Sequence, residues 1–464
     1  MESQNPSARR PNLVFFIADD HSYSAVGAYG NQQVKTPVMD RLAQEGVLFR
    51  SAYTMGAQTA AVCVPSRACL HTGASVYRSI SSDRICLENH EDDQLWHIHP
   101  QLPTWPEVFR QAGYHTYGIG KWHNGAESFT RSFSGGARLF FGGMSEHTGM
   151  PLHDYDAQGR YADTDAESCD GFSTDVFADA AVDFIERYER EEPFVLYIAF
   201  TAPHDPRTPP GRYRSMFDPE TIELPANYAD RHPFDNGELS IRDEMLAPIP
   251  RQPAEVKKQL ADYYGMIAHL DERIGDVLGA LERRSFDANT IIAYTSDHGL
   301  AIGQHGLMGK QNLYEHSVRI PLIMKGQNFS PLQLDGLCSQ IDIFPTLCDL
   351  AGLTVPDSVE GRSLVPVMTG RERQVRDSVF AVYKDVQRMV CDGRWKLIRY
   401  YRSAERGVGT DRLQLFDIRH DVWERFDLSA DARYRPELER MLEILRLRQT
   451  EIGDPLLEIL VEDT

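Results

Sequence analysis

Long hydrophobic runs and an excess of basic residues are both missing from this chain. No apolar stretch approaches the roughly 20 residues that a membrane-spanning helix requires. The 464 residues include 48 Lys and Arg against 68 Asp and Glu, which gives a formal net charge of −20. Such a charge repels nucleic acid, anionic membranes and long anionic polymers, unless a local basic pocket overrides the field. We therefore expect neither nucleic acid nor a membrane as a partner.

Cysteine is scarce and shows no pairing pattern. The seven cysteines are an odd number, scattered without a C-x-x-C pair, which argues against a disulfide framework and favours reduced, individually buried thiols. Residues 1–11 are polar and lack the apolar stretch of a secretory signal. This predicts a cytoplasmic protein, whereas a chain from which a leader had been trimmed would be secreted or periplasmic.

What the chain does contain is a series of buried strands separated by helices. Residues 12–18, 194–200 and 290–295 are continuous apolar runs, typical of a parallel sheet, and residues 114–120 form a weaker fourth run. Apolar residues at helical spacing predict amphipathic helices over 37–45, 175–190 and 259–284. This alternation predicts an α/β sandwich with a large, mostly parallel sheet between helices, and 464 residues allow two unequal lobes.

The pattern changes near residue 376. Short antiparallel strands are predicted over 379–383, 388–391, 395–401 and 413–417, with a helix over 436–451. We therefore divide the chain into a catalytic domain, residues 1–375, and a small C-terminal α+β subdomain, residues 376–464. Residues 205–250 are rich in Pro and Arg and lack a clear period, which indicates a long loop over the site.

Polar side chains follow every predicted strand of the large sheet. They are Asp19 and Asp20, the run Lys121-Trp122-His123, His204, and the pair Asp297-His298. Ligands of such sheets gather beyond the carboxyl ends of the strands. Asp19, Asp20 and Asp297 would repel one another there unless a divalent cation bound them, and carboxylate oxygens suit calcium, magnesium or manganese. The alternative is that some of them only cap the turns that follow.

Cys63 begins the run Cys-Val-Pro-Ser-Arg, which continues Ala-Cys-Leu-His-Thr-Gly to Gly73. Pro65 suits the first turn of a helix, which places Cys63 just before a helix start, where free N–H groups favour an anion. Arg67 adds a fixed cation within one turn. The pattern predicts a site for a negatively charged tetrahedral group, with Cys63 as a candidate low-pKa thiolate. A merely buried cysteine is the better interpretation for Cys69.

These residues resemble the signature of the type I sulfatases, which belong to the alkaline phosphatase superfamily. The resemblance spans residues 12 to about 325. The other matching blocks are Asp19-Asp20, Gly120-Lys121-Trp122-His123, Ala202-Pro203-His204, Asp297-His298-Gly299, His305-Gly306, Gly309-Lys310 and Tyr314-Glu315. It implies an alkaline-phosphatase-like fold and a sulfuric ester hydrolase, with Cys63 oxidised to formylglycine by a maturing enzyme.

The resemblance also implies how the residues share the chemistry. The formylglycine hydrate, a gem-diol, would attack the sulfur of a sulfate ester. The implied metal ligands are Asp19, Asp20, Cys63, Asp297 and His298, around calcium or alternatively manganese or magnesium. Arg67, Lys121, Lys310 and the metal would bind the sulfuryl oxygens. His204 or Lys310 would protonate the leaving alcohol, and His123 would accept the proton whose loss expels sulfate.

His298 departs from the asparagine often found beside the last aspartate in sulfatases, and some phosphonate monoester hydrolases and choline sulfatases also read Asp-His-Gly. A phosphonate monoester hydrolase or phosphodiesterase is therefore the alternative enzyme, and a non-catalytic metal-binding protein is the alternative class. The expected substrate is a small sulfate ester, such as a sulfated saccharide. Candidate substrate-binding residues are Lys121, His204, Lys310 and Arg207, with Tyr53, Arg212, Arg214, Tyr383 and Arg402 as further guesses.

Overall fold

The structure, a computed structural model, describes residues 10–80, 97–327 and 329–457. Nearly all of the polar N-terminus on which the localisation was predicted, and one cysteine, Cys86, lie outside these residues. The other six cysteines are buried and free. Among the described residues, no helix combines the length and the apolar character that crossing a bilayer requires.

Eight strands form the large sheet. In chain order the described strands up to residue 339 are β1 (Asn12–Ala18), β2 (Val47–Tyr53), β3 (Gly56–Ala57), β4 (His115–Lys121), β5 (Gly135–Phe140), β6 (Pro151–Leu152), β7 (Glu167–Ser168), β8 (Phe194–Ala199), β9 (Thr290–Ser296), β10 (Arg319–Lys325) and β11 (Leu332–Ser339). Of these, β3, β6 and β7 do not belong to the large sheet. The sheet order is β11-β2-β10-β9-β1-β8-β4-β5. All neighbours are parallel except β10, which runs antiparallel to both β9 and β2. The predicted large, mostly parallel sheet is confirmed.

Helices cover both faces of this sheet. In chain order the described helices are α1 (Pro37–Glu45), α2 (Cys63–Thr72), α3 (Trp105–Gln111), α4 (Ala126–Ser132), α5 (Ser173–Glu186), α6 (Pro253–Arg283), α7 (Glu315–Val318), α8 (Ile343–Ala351), α9 (Val365–Met368) and α10 (Arg435–Ile452). The last of these, α10, packs instead on a second, smaller sheet. All seven residues of β1 are buried. Phe15 packs in the core under α2, α3 and α8, and Phe16 packs in the core under α1, α5 and α6. Because successive side chains of a strand point to opposite faces, a strand covered on both sides needs an uninterrupted apolar run.

A second, mostly antiparallel sheet forms near the C-terminus. Its strands are β12 (Val379–Tyr383), β13 (Gln387–Cys391), β14 (Trp395–Tyr400) and β15 (Arg412–Asp417), in the order β15-β14-β13-β12-β3. The predicted antiparallel sheet is confirmed, with one addition. Its edge strand, β3, comes from the N-terminal half, where Gly56 and Ala57 pair with Val382 and Tyr383. The domain boundary at residue 375 stays a prediction.

Residues 205–250 contain little regular structure. Two short 3₁₀ helices, Gly211–Ser215 and Arg242–Leu246, are their only helical turns, and α6 begins at Pro253, six residues before the predicted start. The segment is held instead by side-chain hydrogen bonds. Glu244, for example, accepts bonds from the backbone N–H groups of Met308 and Gly309. The predicted long loop therefore packs against residues next to the candidate site.

Candidate active site

Three aspartates from two neighbouring strands meet at the carboxyl edge of the large sheet. Asp19 and Asp20 follow β1, and Asp297 follows β9, its partner in the sheet. The backbone N–H of Asp20 donates to Asp297 Oδ1 at 3.1 Å. All three side chains are at most 1% exposed. Asp20 has a φ of +62°, in the left-handed region that aspartate tolerates better than most residues.

Cys63 is the first residue of α2 and lies against this carboxylate group. The prediction placed it one residue outside the helix; Pro65 does lie in the first turn. The Cys63 thiol donates to Asp19 Oδ1 at 3.3 Å and lies 3.9 Å from Asp20 Oδ1. Ser66, one turn into α2, donates to the carbonyl of Asp297 and to Gln340. These bonds fix the helix start beside the aspartates.

Three buried cations face the three aspartates. Arg67 Nε donates to Asp297 Oδ2 at 2.8 Å, and Lys121 Nζ forms an ion pair with Asp19. Lys310 Nζ donates to both carboxylate oxygens of Asp20, at 2.7 and 2.8 Å. It also lies 3.1 Å from Cys63 Sγ. Lys310 therefore bridges the side chain at the helix start and the carboxylate group.

Two histidines complete the set. His204 Nε2 lies 3.5 Å from Asp20 Oδ2, and its Nδ1 donates to the Asp205 carbonyl at 2.8 Å. His123 has a φ of +68° and a buried Nδ1 without a hydrogen-bond partner among the described residues. Burial together with Lys310 lowers the pKa of His204, and burial together with Lys121 lowers the pKa of His123. Both imidazoles are therefore neutral near pH 7.

The carboxylates carry opposing pKa shifts. Burial tends to raise the pKa of Asp19, but the charges of Lys121 and Arg67 hold it well below its usual range. Burial raises the pKa of Asp20 to about 7 against the attraction of Lys310. Burial, together with Asp19, raises that of Asp297 to about 6. Crowded, desolvated carboxylates are more stable beside added positive charge.

Whether these residues fit a metal ion depends on how close their donor atoms lie and on which elements the donors are. Single ligand atoms of Asp19, Asp20, Cys63 and His204 all lie within 4.8 Å of one another. Hard carboxylate oxygens dominate the group once the oxygens of Asp297, which bonds to the Asp20 backbone, are included. Such donors suit a hard divalent cation, so the residues fit one.

The thiolate interpretation of Cys63 receives no support from its surroundings. Burial and the neighbouring Asp19 raise the pKa of the Cys63 thiol well above its usual value, despite Lys310. Burial and the negative charge of Asp19 thus outweigh the attraction of Lys310 for a thiolate. These surroundings therefore favour the protonated thiol over the thiolate at an unmodified Cys63.

Several residues named from the sequence have other contacts in the structure. His298 is buried, its Nδ1 bonds to the Gly299 carbonyl, and burial lowers its pKa to about 3. Arg207 donates to Gln259 of α6 at 2.6 Å. The other candidate substrate-binding residues also have contacts of their own. Tyr53 donates to Glu315, Arg212 pairs with Glu272, and Arg402 donates to the Gly407 carbonyl. Tyr383 is buried and Arg214 is exposed. Their substrate roles stay predictions.

Sequence reasoning missed a further group of residues around His204 and Lys310. Arg242 binds Asp205, Gln311 Nε2 donates to Asp243, and Gln311 Oε1 accepts the N–H of Lys310. His147 Nε2 contacts the His204 carbonyl at 3.0 Å. The only signal for Arg242 and Asp243 in the sequence is a charged tripeptide in an aperiodic segment, which is equally typical of a solvated loop.

Two protein-family profiles match this chain. A family profile described as Sulfatase matches residues 11–353, and a second one, described as N-sulphoglucosamine sulphohydrolase, C-terminal, matches residues 303–451. The N-acetylglucosamine-6-O-sulfatase of Bacteroides thetaiotaomicron is 28% identical over 93% of this chain and 83% of its own length.

Solved structures share the fold. One, described as a complex with its substrate D-glucosamine-2-N,6-O-disulfate, has a TM-score of 0.78 at 24% identity and covers 96% of this chain and 99% of its own. The phosphonate monoester hydrolase of Agrobacterium radiobacter has a TM-score of 0.72 at 22% identity, with 95% and 96% covered. At these identities the likeness extends to the fold alone.

Proposed function

This chain belongs to the sulfatase family and is a sulfuric ester hydrolase, and from that premise we propose that it cleaves the sulfate ester of a small sulfated sugar with a formylglycine made from Cys63. The single observation that carries the proposal is the position of Cys63. Its Sγ lies at the start of α2, 3.3 Å from Asp19 and 3.1 Å from the Lys310 ammonium. A nucleophile at this point is next to both a cation site and an oxyanion site.

The burial of Cys63 supports modification rather than direct use of the thiol. The side chain is 3% exposed and its pKa is raised by burial and by Asp19. Formylglycine, once hydrated, supplies one hydroxyl that attacks the sulfur and a second one whose loss of a proton releases sulfate. The neighbouring carboxylates, which suppress a thiolate, suit an oxygen group that shares a cation with them.

Arg67, Lys121 and Lys310 are the residues that we assign to the sulfuryl oxygens. Their side chains are at most 4% exposed, so their charges act with little screening by water. Each already binds an aspartate, which holds it in place before substrate arrives. Because the attraction is preorganised, little reorganisation is needed as charge develops on the ester group.

His204, Lys310 and His123 are the residues that we assign to proton transfer. His204 Nδ1 donates to a backbone carbonyl, so its Nε2 faces the site. The Lys310 ammonium, or that nitrogen once it also carries a proton, would pass a proton to the departing alcohol. His123, whose pKa is lowered by burial and by Lys121, is neutral and therefore able to accept a proton in the second step.

Asp19, Asp20, Asp297, His298 and the side chain at position 63 are the ligands that we assign to a divalent cation. Calcium is the first choice, with manganese and magnesium as alternatives, since oxygen donors dominate and His298 adds a nitrogen. When bound, the cation polarises the oxygen groups around it and neutralises negative charge.

The sugar class is supported by relatives rather than by pocket residues. The named activity of the Bacteroides thetaiotaomicron relative is on N-acetylglucosamine 6-O-sulfate, and the substrate named for the structural neighbour is a glucosamine disulfate. Phosphonate monoester hydrolysis is the second candidate. The Asp297-His298-Gly299 triplet and the shared fold of the Agrobacterium radiobacter enzyme favour it.

The test combines mass spectrometry with activity. Protein co-expressed with a formylglycine-generating enzyme is digested, and the Cys63 peptide is expected to carry an oxygen in place of sulfur and two fewer hydrogens. The same preparation is assayed on a panel of sulfated saccharides, an aryl sulfate and a phosphonate monoester. Cys63→Ala should abolish turnover, whereas Cys348→Ala, at another buried cysteine in α8, should retain it.

Two results would contradict the proposal. Active protein that keeps a thiol at position 63 would rule out formylglycine. Turnover of the phosphonate with none of the sulfate esters would favour the second candidate instead.

A further inference from the structure

Arg242 lies at the start of the short 3₁₀ helix Arg242–Leu246 and reaches His204 through Asp205. Its guanidinium binds the Asp205 carboxylate in a two-pronged contact, with Nη1–Oδ2 at 2.7 Å and Nη2–Oδ1 at 3.0 Å. Asp205 in turn contacts His204 twice. Its carbonyl accepts from Nδ1 at 2.8 Å, and its carboxylate lies 3.4 Å from the same nitrogen. Because a carbonyl only accepts, these contacts place the proton on Nδ1 and aim Nε2 at the site.

The same guanidinium reaches Lys310 by a second path. Arg242 Nη2 donates to Asp243 Oδ1 at 2.7 Å, and Asp243 Oδ2 accepts from Gln311 Nε2 at 2.8 Å. Gln311 Oε1 accepts the backbone N–H of Lys310 at 3.0 Å. One side chain therefore connects both groups that we assign to protonation of the departing alcohol.

The neighbouring contacts make this connection rigid. Glu244 accepts from the N–H groups of Met308 and Gly309, at 2.9 and 2.8 Å, just before Lys310. Gln311 also donates to the carbonyl of Ala60 at 3.1 Å, in the loop that leads to α2. Thus the turn at 242–244 binds the loop after β8 and the loop after β9, and Gln311 connects the latter to the approach to α2.

Charge explains why the connection depends on arginine. Asp205 and Asp243 are 7% and 6% exposed, and without a cation between them two buried carboxylates would repel and separate. Arginine can bond to two carboxylates at once because its donors lie in a rigid plane, whereas lysine is a single point charge. The Arg242 side chain itself is 46% exposed, so its replacement opens no core cavity.

We propose that Arg242 is a positioning residue, which orients His204 and Lys310 so that a proton reaches the oxygen of the departing alcohol. This role of Arg242 rests on one part of the proposed function, namely that an ester is cleaved and an alcohol leaves. It applies equally to a sulfate ester and to a phosphonate ester. Arg242 itself contacts neither the nucleophile nor the aspartates that follow β1 and β9, among the contacts of the described residues.

The test measures how activity depends on the leaving group. Alcohols that leave as basic alkoxides need a proton in the transition state, whereas nitrophenolate does not. Arg242→Met should lower kcat for a sugar or alkyl ester by about 10- to 100-fold. For the nitrophenyl ester of the same acid it should lower kcat by at most about threefold, with KM little changed. For the sugar or alkyl ester, the kcat of Arg242→Lys should lie between that of Arg242→Met and that of the wild type.

A matched control exists on α10. Arg440 is 43% exposed and also bridges two carboxylates, Asp392 at 2.6 Å and Glu437 at 2.9 Å. Arg440→Met should leave both esters unaffected, and thermal denaturation of each variant shows whether it is folded.

The possible results separate this proposal from the proposed function. An equal loss on both esters, or no loss on either, would overturn the positioning role. If the wild type cleaves only phosphonates, the proposed function fails, and the same pair of leaving groups built on a phosphonate decides the role of Arg242.

Discussion

Among single cationic residues, Lys310 is the one whose removal we expect to lower kcat/KM most. Its ammonium binds both oxygens of Asp20 and lies 3.1 Å from Cys63 Sγ. Lys310→Met removes a cation from the transition state and leaves Asp20 without its ion pair. We expect kcat/KM for a sulfate ester to fall by about 100- to 1000-fold.

The control for this prediction is Lys325→Met, which removes an exposed lysine that pairs with Glu45. It should retain full activity. The position-63 peptide of each variant is checked by mass, so that a failure of maturation is not counted as a failure of catalysis. Near-normal kcat/KM in fully matured Lys310→Met would contradict the role of Lys310.

Removal of divalent cations should affect stability as well as turnover. A cation that binds only the folded chain raises the denaturation midpoint by mass action, and the crowded Asp19, Asp20 and Asp297 would repel one another once it is removed. Exhaustive chelation should therefore lower both the midpoint and the activity. Adding back calcium, manganese or magnesium should restore both, and the cation that binds most tightly should do so at the lowest concentration. If chelation changed neither the denaturation midpoint nor the activity, the assigned metal site would be excluded.

The sequence predicted which residues meet, but not how their charges pair. The strand ends placed Asp19, Asp20 and Asp297 at one edge, and the structure confirms that they meet there. The pairing of Lys310 with Asp20 depends on a loop without periodicity, and that of Lys121 with Asp19 depends on the direction of the last side chain of β4. The contact of Arg242 with Asp205 joins positions 37 residues apart, which no local pattern reveals.

At the scale of elements, a buried ion cluster joins β14 to α7. Lys396 of β14 pairs with Glu315 of α7 at 2.9 Å and with Glu424 at 2.8 Å, and none of the three is more than 3% exposed at the side chain. Lys396→Met would leave the buried Glu424 without its cation and Glu315 with Arg319, 3.2 Å away, as its ion-pair partner. We expect a loss of about 3–5 kcal/mol in the free energy of unfolding.

The measurement is denaturant unfolding of both proteins at pH 7. The exposed pair of Lys325 and Glu45 again serves as the control, and its removal should cost less than about 1 kcal/mol. The double variant Lys396→Met with Glu424→Gln should recover part of the loss, because one uncompensated charge is gone. An unchanged midpoint in Lys396→Met would show that the cluster contributes nothing.

Strands were predicted more closely than long helices. The bounds of β1, α1 and β12 were predicted without error, since apolar runs and a Pro–Gly pair mark their ends. The start of α6 was placed six residues late because its first turns, from Pro253, are polar and carry little apolar signal. The strand β3 has only two residues and pairs with a strand more than three hundred positions away, so no sequence pattern could identify it.

At the scale of the whole molecule, buried neutral histidines should make the fold sensitive to acid. Burial lowers the pKa of His232 to about 4 and that of His305 to about 3. An unfolded chain binds protons at histidine near pH 6.5. Below that pH the unfolded state therefore takes up protons first, and stability falls as the pH drops from about 6.5 towards 4.

His232→Asn tests this expectation, because asparagine can still donate a hydrogen bond to the His305 carbonyl, which His232 Nδ1 contacts at 3.1 Å. In the acid range the free energy of unfolding of the wild type should fall more steeply than that of the variant, by about 1.4 kcal/mol per pH unit. Unfolding is measured at pH 5 and pH 7. Equal slopes for the two proteins would show that His232 is not neutral in the folded state.

The two-residue strand β3 also sets an order of events during synthesis. Gly56 and Ala57 pair with Val382 and Tyr383, so this edge of the small sheet stays open until most of the polypeptide has left the ribosome. At about 5–20 residues per second, that delay is on the order of tens of seconds. Cys63, six positions beyond Ala57, therefore leaves the ribosome long before this edge can close, which would give the modification that we propose time to occur on an open chain.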